Sequence, residues 1–248
     1  MKREDLEALV KQFGLTSLEE FHSRYNIAPT SIVPLIRIRG ETIPGGAEAT
    51  AGSQAPNPAA TTSLELAPVR WGLIPAWTKP DAPPRPLVNL RAETLVSRFR
   101  GALRHRRCVL PASGFYEWEK LGTRKQPWLF TARAGGPVGL AGVWDTWQGD
   151  GSLRLETCAI LTTTPNGVLS PIHDRMPVML TPEQCRTWLD PERREPELKA
   201  LLASAPDEAI AATRVGPAVS SVRNDGPECI AAAAPDSGGA EPQLSLGF

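Results

Sequence analysis

Proline interrupts this chain so often that no long helix fits anywhere in it. There are 25 prolines among 248 residues, and a proline inside a helix removes a hydrogen bond and clashes with the preceding turn. The chain is therefore expected to fold as many short strands and loops. Apolar, strand-like segments bounded by turn residues fall at 31–39, 64–73, 108–111, 114–119, 127–132, 138–143 and 156–163. That pattern predicts an α+β fold, with a twisted, largely antiparallel sheet or open barrel and a few flanking helices.

Helical spacing is confined to short stretches. Leu6, Leu9, Val10 and Phe13 recur at helical intervals over residues 3–14, and Gly14 is placed to end that helix. Thr16 to Phe21 reads as one further turn. A helix is expected from Pro182 to Leu189 behind Thr181, a good N-cap, and another over 196–204. Residues 40–63 are mostly Gly, Ala, Pro, Thr and Ser, which predicts a mobile surface loop within one domain. Residues 231–248 carry little apolar bulk and read as a disordered tail, leaving a single domain over 1–230.

The formal net charge is +0, so no global field draws the chain to nucleic acid. Local charge differs: from Arg85 to Arg107 there are seven arginines and His105 against one acid, Glu93. One face is expected to be basic. Cys108, Cys158, Cys185 and Cys229 form no C-x-x-C pair, which argues against a disulfide framework or a zinc site and for reduced thiols. No metal and no cofactor are expected. No apolar leader and no run of about 18 apolar residues is visible, so a cytoplasmic protein without a membrane span is expected.

Three strings concentrate the chemistry: Asn89-Leu90-Arg91-Ala92-Glu93-Thr94, Gly114-Phe115-Tyr116-Glu117-Trp118 and Ile172-His173-Asp174-Arg175-Met176-Pro177. His173 either acts as an acid/base near neutral pH or makes a backbone hydrogen bond in a tight loop. Asp174 and Arg175 read as a local ion pair. Glu117 either faces solvent by strand alternation or is desolvated between its aromatic neighbours, which would raise its pKa. Asn89 either joins a site or closes a turn. Arg91 either grips a phosphate or pairs with Glu93. The run Arg98, Arg100, Arg104, Arg106, Arg107 is either a solvated helix face or a phosphate-binding surface. Most of the tryptophans belong to the core; Trp77, in the proline-rich loop 75–86 near Lys79, is the candidate for stacking on a base.

Seven strings in order carry a resemblance. They are Arg24 to Thr30 (RYNIAPT), Trp71 to Trp77 (WGLIPAW), Asn89 to Thr94, Arg107 to Trp118 (RCVLPASGFYEW), Lys125-Gln126-Pro127, Ala141 to Trp147 (AGVWDTW), and Thr162-Thr163-Thr164 leading to the His173 string. Together they resemble the SRAP family, SOS-response-associated proteins that trap abasic sites in single-stranded DNA. The resemblance runs from Arg24 to Cys229. It implies a groove for single-stranded DNA carrying abasic sites, and a nucleoid-associated protein. It also implies roles: Asn89 orients the reacting cysteine, Glu117 moves protons, His173 assists sugar ring opening and imine chemistry, and Arg91, Arg98 and Trp77 contact DNA. Leu90 stands where the family usually has alanine.

In the family, a cysteine directly after the initiator methionine supplies both the amine and the thiolate of a thiazolidine with the ring-opened sugar. This sequence reads Met1-Lys2-Arg3, where the family reads Met-Cys-Gly-Arg. No internal cysteine has the free α-amine that this ring needs. The expectation is a misassigned start codon, with the alternative of a module that binds single-stranded DNA without cross-linking. A cysteine peptidase is a third reading, disfavoured because no internal cysteine lies in a nucleophile motif. Finally, Gln243-Leu244-Ser245-Leu246-Gly247-Phe248 resembles the short peptides with which bacterial replication proteins dock on the sliding clamp.

Overall fold

The computed structural model describes residues 1–15, 21–39, 63–81, 85–151 and 153–234. All but Phe21 of the turn expected over 16–21, all but Ser63 of the loop expected over 40–63, and the tail from 235 on lie outside these residues. Residues 231–234, expected as part of a disordered tail, are ordered, with the Ala233 N–H donating to the Arg214 carbonyl at 2.9 Å. Helix α1 (Arg3–Gln12) precedes strands β1 (Ile32–Ile38), β2 (Leu64–Trp71) and β3 (Asn89–Arg91). Two short helices, α2 (Ala92–Arg98) and α3 (Arg100–His105), lead into β4 (Arg107–Ala112), β5 (Phe115–Leu121), β6 (Arg124–Ala132), β7 (Val138–Gln148) and β8 (Arg154–Thr163). The remainder comprises β9 (Met176–Pro177), β10 (Met179–Leu180), α4 (Pro182–Leu189), α5 (Glu195–Ala200) and β11 (Ile210–Arg214), with three 3-10 turns.

The main sheet runs β10-β7-β4-β1-β2-β8-β3, and β7 also pairs with β8. That extra pairing closes β7, β4, β1, β2 and β8 into a five-stranded barrel, which removes its free edges. The fold is α+β as expected, and the barrel is closed where a sheet or an open barrel was expected. Antiparallel pairs dominate, but β2 and β3 both run parallel to β8. A second, antiparallel sheet has the order β11-β6-β5.

Side-chain alternation divides the core. Leu35, Val69, Cys108, Leu110, Leu140, Trp144 and Cys158 form the cluster inside the barrel. Their neighbours Ile36, Val109, Ala141, Val143, Ala159 and Leu161 turn outward and pack against Leu95, Leu103 and Trp188 of the helices. Gly142 marks a close crossing: a Cβ there would lie 2.5 Å from Leu110 Cδ1 and 2.8 Å from the Ala159 carbonyl oxygen.

Local signals operate as read. α1 buries Leu6, Leu9 and Val10, and Gly14 takes φ +68° just beyond its end, a left-handed conformation that costs glycine least. Thr181 caps α4 in a reciprocal box: its hydroxyl accepts the Gln184 N–H at 3.2 Å, and the Gln184 carboxamide oxygen accepts the Thr181 N–H at 2.9 Å. The helix expected over 196–204 is shorter, Glu195–Ala200.

Candidate functional site

The expected site residues fall into two adjoining groups around the end of β8. Asn89–Arg91 pairs in register with Ile160–Thr162, and Thr162–Thr163 pairs with Pro177–Met176 on the other side. The strand bearing Asn89 and Arg91 and the short strand that follows the His173 loop therefore flank Thr162 from opposite sides.

The first group lines a cavity of about 560 Å³ formed by Pro75, Trp77, Leu87, Asn89, Leu90, Arg91, Thr94, Arg98 and Phe99. Trp77 is 63% exposed, although it is a large aromatic. Its ring centroid stands 5.4 Å from that of Phe99, with the planes tilted by 40°. Two guanidinium groups and two aromatic rings thus share one opening. Phe99 was missed by sequence reasoning, and its signal was its place between Arg98 and Arg100, an aromatic inside the basic run.

The rest of that run does other work. Arg107 is buried and donates to the carbonyl oxygens of Leu103, Arg104, Trp188 and Asp190, tying α3 to the end of α4. Arg106 stands 3.4 Å from the buried Asp145, and Arg100 pairs with Glu195. Of the run, Arg98 lines the cavity, beside Arg91, and Arg104 is exposed on α3.

The second group is Glu117 and His173. The β5–β6 register sets Glu117 opposite Trp128. Strand alternation puts Glu117 on the Phe115 face, which packs toward Phe130, Leu169, Met176 and Ile210, while Tyr116 and Trp118 pack toward Val215 and Val219. Both faces of β5 are half-buried here, and the Glu117 side chain keeps 22% of its exposure, which favours the partly desolvated alternative over the solvent-facing one. Burial pushes the Glu117 carboxyl above the usual carboxylate range; His173 opposes that rise and Asp174 adds to it. The loop after β8 turns so that the His173 N–H donates to the Leu169 carbonyl at 3.0 Å. The imidazole Nδ1 lies 3.1 Å from the Arg175 N–H and 3.0 Å from the Arg175 carbonyl oxygen, so the backbone fixes the ring at that atom. The Nε2 atom points to Glu117 Oε2 at 3.8 Å, an ion-pair distance beyond hydrogen-bond length.

Arg175 joins the groups. Its guanidinium donates to both carboxylate oxygens of Glu93 at 2.8 Å and to the Thr162 carbonyl at 2.6 Å. The local Asp174–Arg175 pair and the Arg91–Glu93 pair read from the sequence are both replaced by this forked contact, which binds the start of α2 to the His173 loop. Hydrogen bonds from Arg175 hold the Glu93 carboxyl below its ordinary range. Asp174 instead sits 3.5 Å from His173 Nδ1.

Glu117→Gln is expected to melt higher than wild type at pH 8 and at the same temperature near pH 4. The folded state raises the Glu117 pKa. Its favourable contribution is thus full below the unfolded carboxylate range and is lost as pH rises through the folded value. Glutamine mimics the neutral form at every pH. Thermal melts across that range decide it: a less stable Gln variant at pH 8 would mean that attraction to His173 outweighs burial.

All four cysteines are buried. Burial pushes the Cys158 and Cys185 thiols up to about 12 and the Cys108 thiol well above its ordinary value. Among the described residues no group of three or more His, Cys, Asp or Glu is arranged to hold a metal ion, and no helix is long and apolar enough to cross a membrane.

A sequence profile described as SOS response associated peptidase (SRAP) matches residues 1–222. The abasic site processing protein YoqW of Bacillus subtilis (strain 168) is 32% identical over 233 residues, covering 91% of this chain and 95% of that one. The abasic site processing protein YedK of Escherichia coli (strain K12) is 33% identical over 213 residues, covering 84% and 83%. A crystal structure of a protein from Bacteroides thetaiotaomicron superposes with a TM-score of 0.76 at 23% identity, covering 92% of this chain and 96% of that one, and so shares the fold.

Proposed function

The chain belongs to the SRAP family, and from that premise we propose that it processes abasic sites in the DNA damage response by binding single-stranded DNA and capturing the damaged sugar covalently. The observation that carries this reading is the pairing of Glu117 and His173 across 3.8 Å beside a cavity walled by Trp77, Phe99, Arg91 and Arg98. In it, Arg91 and Arg98 neutralise phosphates and Trp77 stacks on a base. Asn89 orients the reacting amine. His173 assists opening of the sugar ring, which exposes an aldehyde. An amine condenses with that aldehyde to an imine with loss of water, and Glu117 shuttles the protons. A thiolate on the same residue then adds to the imine carbon and closes the five-membered ring.

That last step needs one residue with a free α-amine and a thiol. The four cysteines are internal and buried, which weighs against a cysteine peptidase. The test compares two proteins on abasic single-stranded DNA. One is the chain as given; the other carries the family's amino-terminal Met-Cys-Gly-Arg segment and the short strand that follows it. The first is expected to bind without a heat-stable adduct, and the second to form one. A stable adduct from the first would overturn the assignment of the chemistry to an N-terminal cysteine.

Binding itself has a salt signature. Arg91→Ala and Arg98→Ala are each expected to flatten the plot of log affinity against log salt by about 0.7, one phosphate's worth for single strands. Affinity and slope unchanged in the double variant would remove the cavity from DNA binding.

We propose further that Gln243 to Phe248, outside the described residues, docks the protein on the bacterial sliding clamp through Leu244, Leu246 and Phe248. This would bring it to the nucleoid, where single-stranded template appears at stalled forks. Titrating the tail peptide with the clamp, beside a Leu244→Ala, Phe248→Ala peptide, separates the cases. Equal and negligible binding of both ends the idea.

A further inference from the structure

Trp77 is a large, exposed aromatic in a proline-rich loop, yet its backbone is pinned with unusual regularity. The Ile74 N–H donates to Thr157 Oγ1 at 2.9 Å, the Ala76 N–H donates to Asp145 Oδ2 at 2.9 Å, and the Thr78 carbonyl accepts the Trp147 indole N–H at 2.8 Å. Ile74, Ala76 and Thr78 are thus held to the barrel. The alternate residues, Pro75 and Trp77, line the cavity. Pro75 to Thr78 forms a turn, closed by the Thr78 N–H donating to the Pro75 carbonyl at 2.9 Å, and its anchors on both sides of Trp77 set the direction of the ring.

Asp145 is central to this arrangement. It is 3% exposed and sits in register with Thr157 across the β7–β8 pair. Its Oδ1 accepts the Thr146 N–H at 2.8 Å and lies 3.4 Å from Arg106 Nε. A buried carboxylate is tolerated only when such partners compensate for lost water. Ala76 and Arg106 do not line the cavity themselves but belong to the segments that carry its two aromatic walls. Ala76 directly precedes Trp77, while Arg106 directly follows α3, whose first turn is preceded by Phe99. One carboxylate therefore ties the Trp77 wall to the segment carrying the Phe99 wall.

We propose that Asp145, assisted by Trp147, is a positioning residue that sets the gap between Trp77 and Phe99, and through it the ability of the cavity to stack an unpaired base. The proposal rests on the reading that this cavity holds single-stranded DNA. Asp145 touches no nucleotide; it acts through Trp77. Stacking depends steeply on ring placement, whereas the phosphate grip of Arg91 and Arg98 does not pass through this carboxylate.

The test is a double-mutant cycle on the full chain, read by anisotropy of a short fluorescein-labelled oligothymidylate. Asp145→Asn and Trp147→Phe are each expected to weaken binding about fivefold or more, and Trp77→Ala by about tenfold or more. In the Trp77→Ala background, Asp145→Asn should add nothing, because its effect is exerted through the missing ring. The salt slope should match wild type in Asp145→Asn, since no phosphate contact is lost. General loosening of the fold would instead lower affinity in both backgrounds. Trp147→Phe keeps the carboxylate and removes one N–H, so it carries the test if Asp145→Asn melts early. Additive losses in the cycle, or unchanged affinity in both Asp145→Asn and Trp147→Phe, overturn the proposal while leaving the DNA reading intact. Failure of wild type to bind, or no effect of Trp77→Ala, overturns the DNA reading and this proposal with it.

Discussion

Asn26→Ala is expected to cost about 3 kcal/mol of folding free energy. The Asn26 side chain is 7% exposed. Its Nδ2 group lies 3.1 Å from the Val219 carbonyl oxygen and 3.0 Å from those of Ser221 and Asn224. Alanine removes the donor and leaves these acceptors with no replacement at a site closed to water. Unmet buried acceptors cost about 1–3 kcal/mol each on top of the lost bonds, so two effective bonds account for the figure. For a domain of this size the melting temperature should fall by roughly 6–12 °C. Asn26→Asp should fare no better, since it sets an acceptor against acceptors. A melt of Asn26→Ala within about 2 °C of wild type would show that this contact is not what joins the carboxy-terminal segment to residues 24–26.

Asp225 completes that junction. It accepts the Tyr25 N–H at 2.6 Å and the Asn26 N–H at 2.7 Å, and pairs with the Arg24 guanidinium. Burial works against its ionised form, but the hydrogen bonds from Asn26, Arg24 and Tyr25 outweigh it and lower the pKa. Its stabilisation is therefore present above the ordinary aspartate range and is lost as pH falls through the depressed folded value. This is long-range chemistry between positions about 200 apart. In the sequence it showed only as the string from Arg24 to Thr30, with nothing to say what that string held.

The same contrast between local and long-range information runs through the molecule. Seven of the strands, the α4 cap and the glycine after α1 were legible because each is decided within a few residues by periodicity, capping or φ, whereas β9, β10 and β11 were not read. β3 was not, because three residues, Asn89–Arg91, carry no periodicity and form a strand only by pairing with β8. β7 was read as ending at 143 but continues to Gln148. Asp145 within that stretch looks like a strand breaker until Ala76 and Arg106 arrive from elsewhere to satisfy it. Arg107 reads in sequence like any member of a basic run, and only the approach of α4 makes it a buried clamp. At the site, the residue types were legible and the partnerships were not. Glu93 was offered as one of two partners for Arg91, two positions away, but it bonds Arg175, which lies 82 positions away.

His173→Ala, in protein carrying the family's amino-terminal segment, is expected to slow adduct formation with abasic single-stranded DNA about 100- to 10,000-fold, the range for removing a positioned acid/base group. The geometry says why the effect should fall on rate. His173 lines no part of the cavity that holds Trp77, Arg91 and Arg98, so affinity for undamaged single strands should stay within about twofold of wild type. Its Nδ1 is occupied by the Arg175 backbone, which leaves Nε2 as the atom available for proton exchange, facing Glu117. If the two groups share one proton pathway, Glu117→Gln should slow the reaction too, and the double variant should be little slower than the worse single one. The pH profile offers an independent reading. Burial raises the Glu117 pKa, so the share of enzyme able to donate that proton falls only above the ordinary carboxylate range. The wild-type rate limb assigned to this proton should lie correspondingly high in pH and vanish in Glu117→Gln. Single-turnover gels across pH, with the oligonucleotide saturating, measure both quantities. An unchanged adduct rate in His173→Ala, with binding intact, would remove the imidazole from the chemistry and leave it a structural tie between the loop after β8 and strand β5.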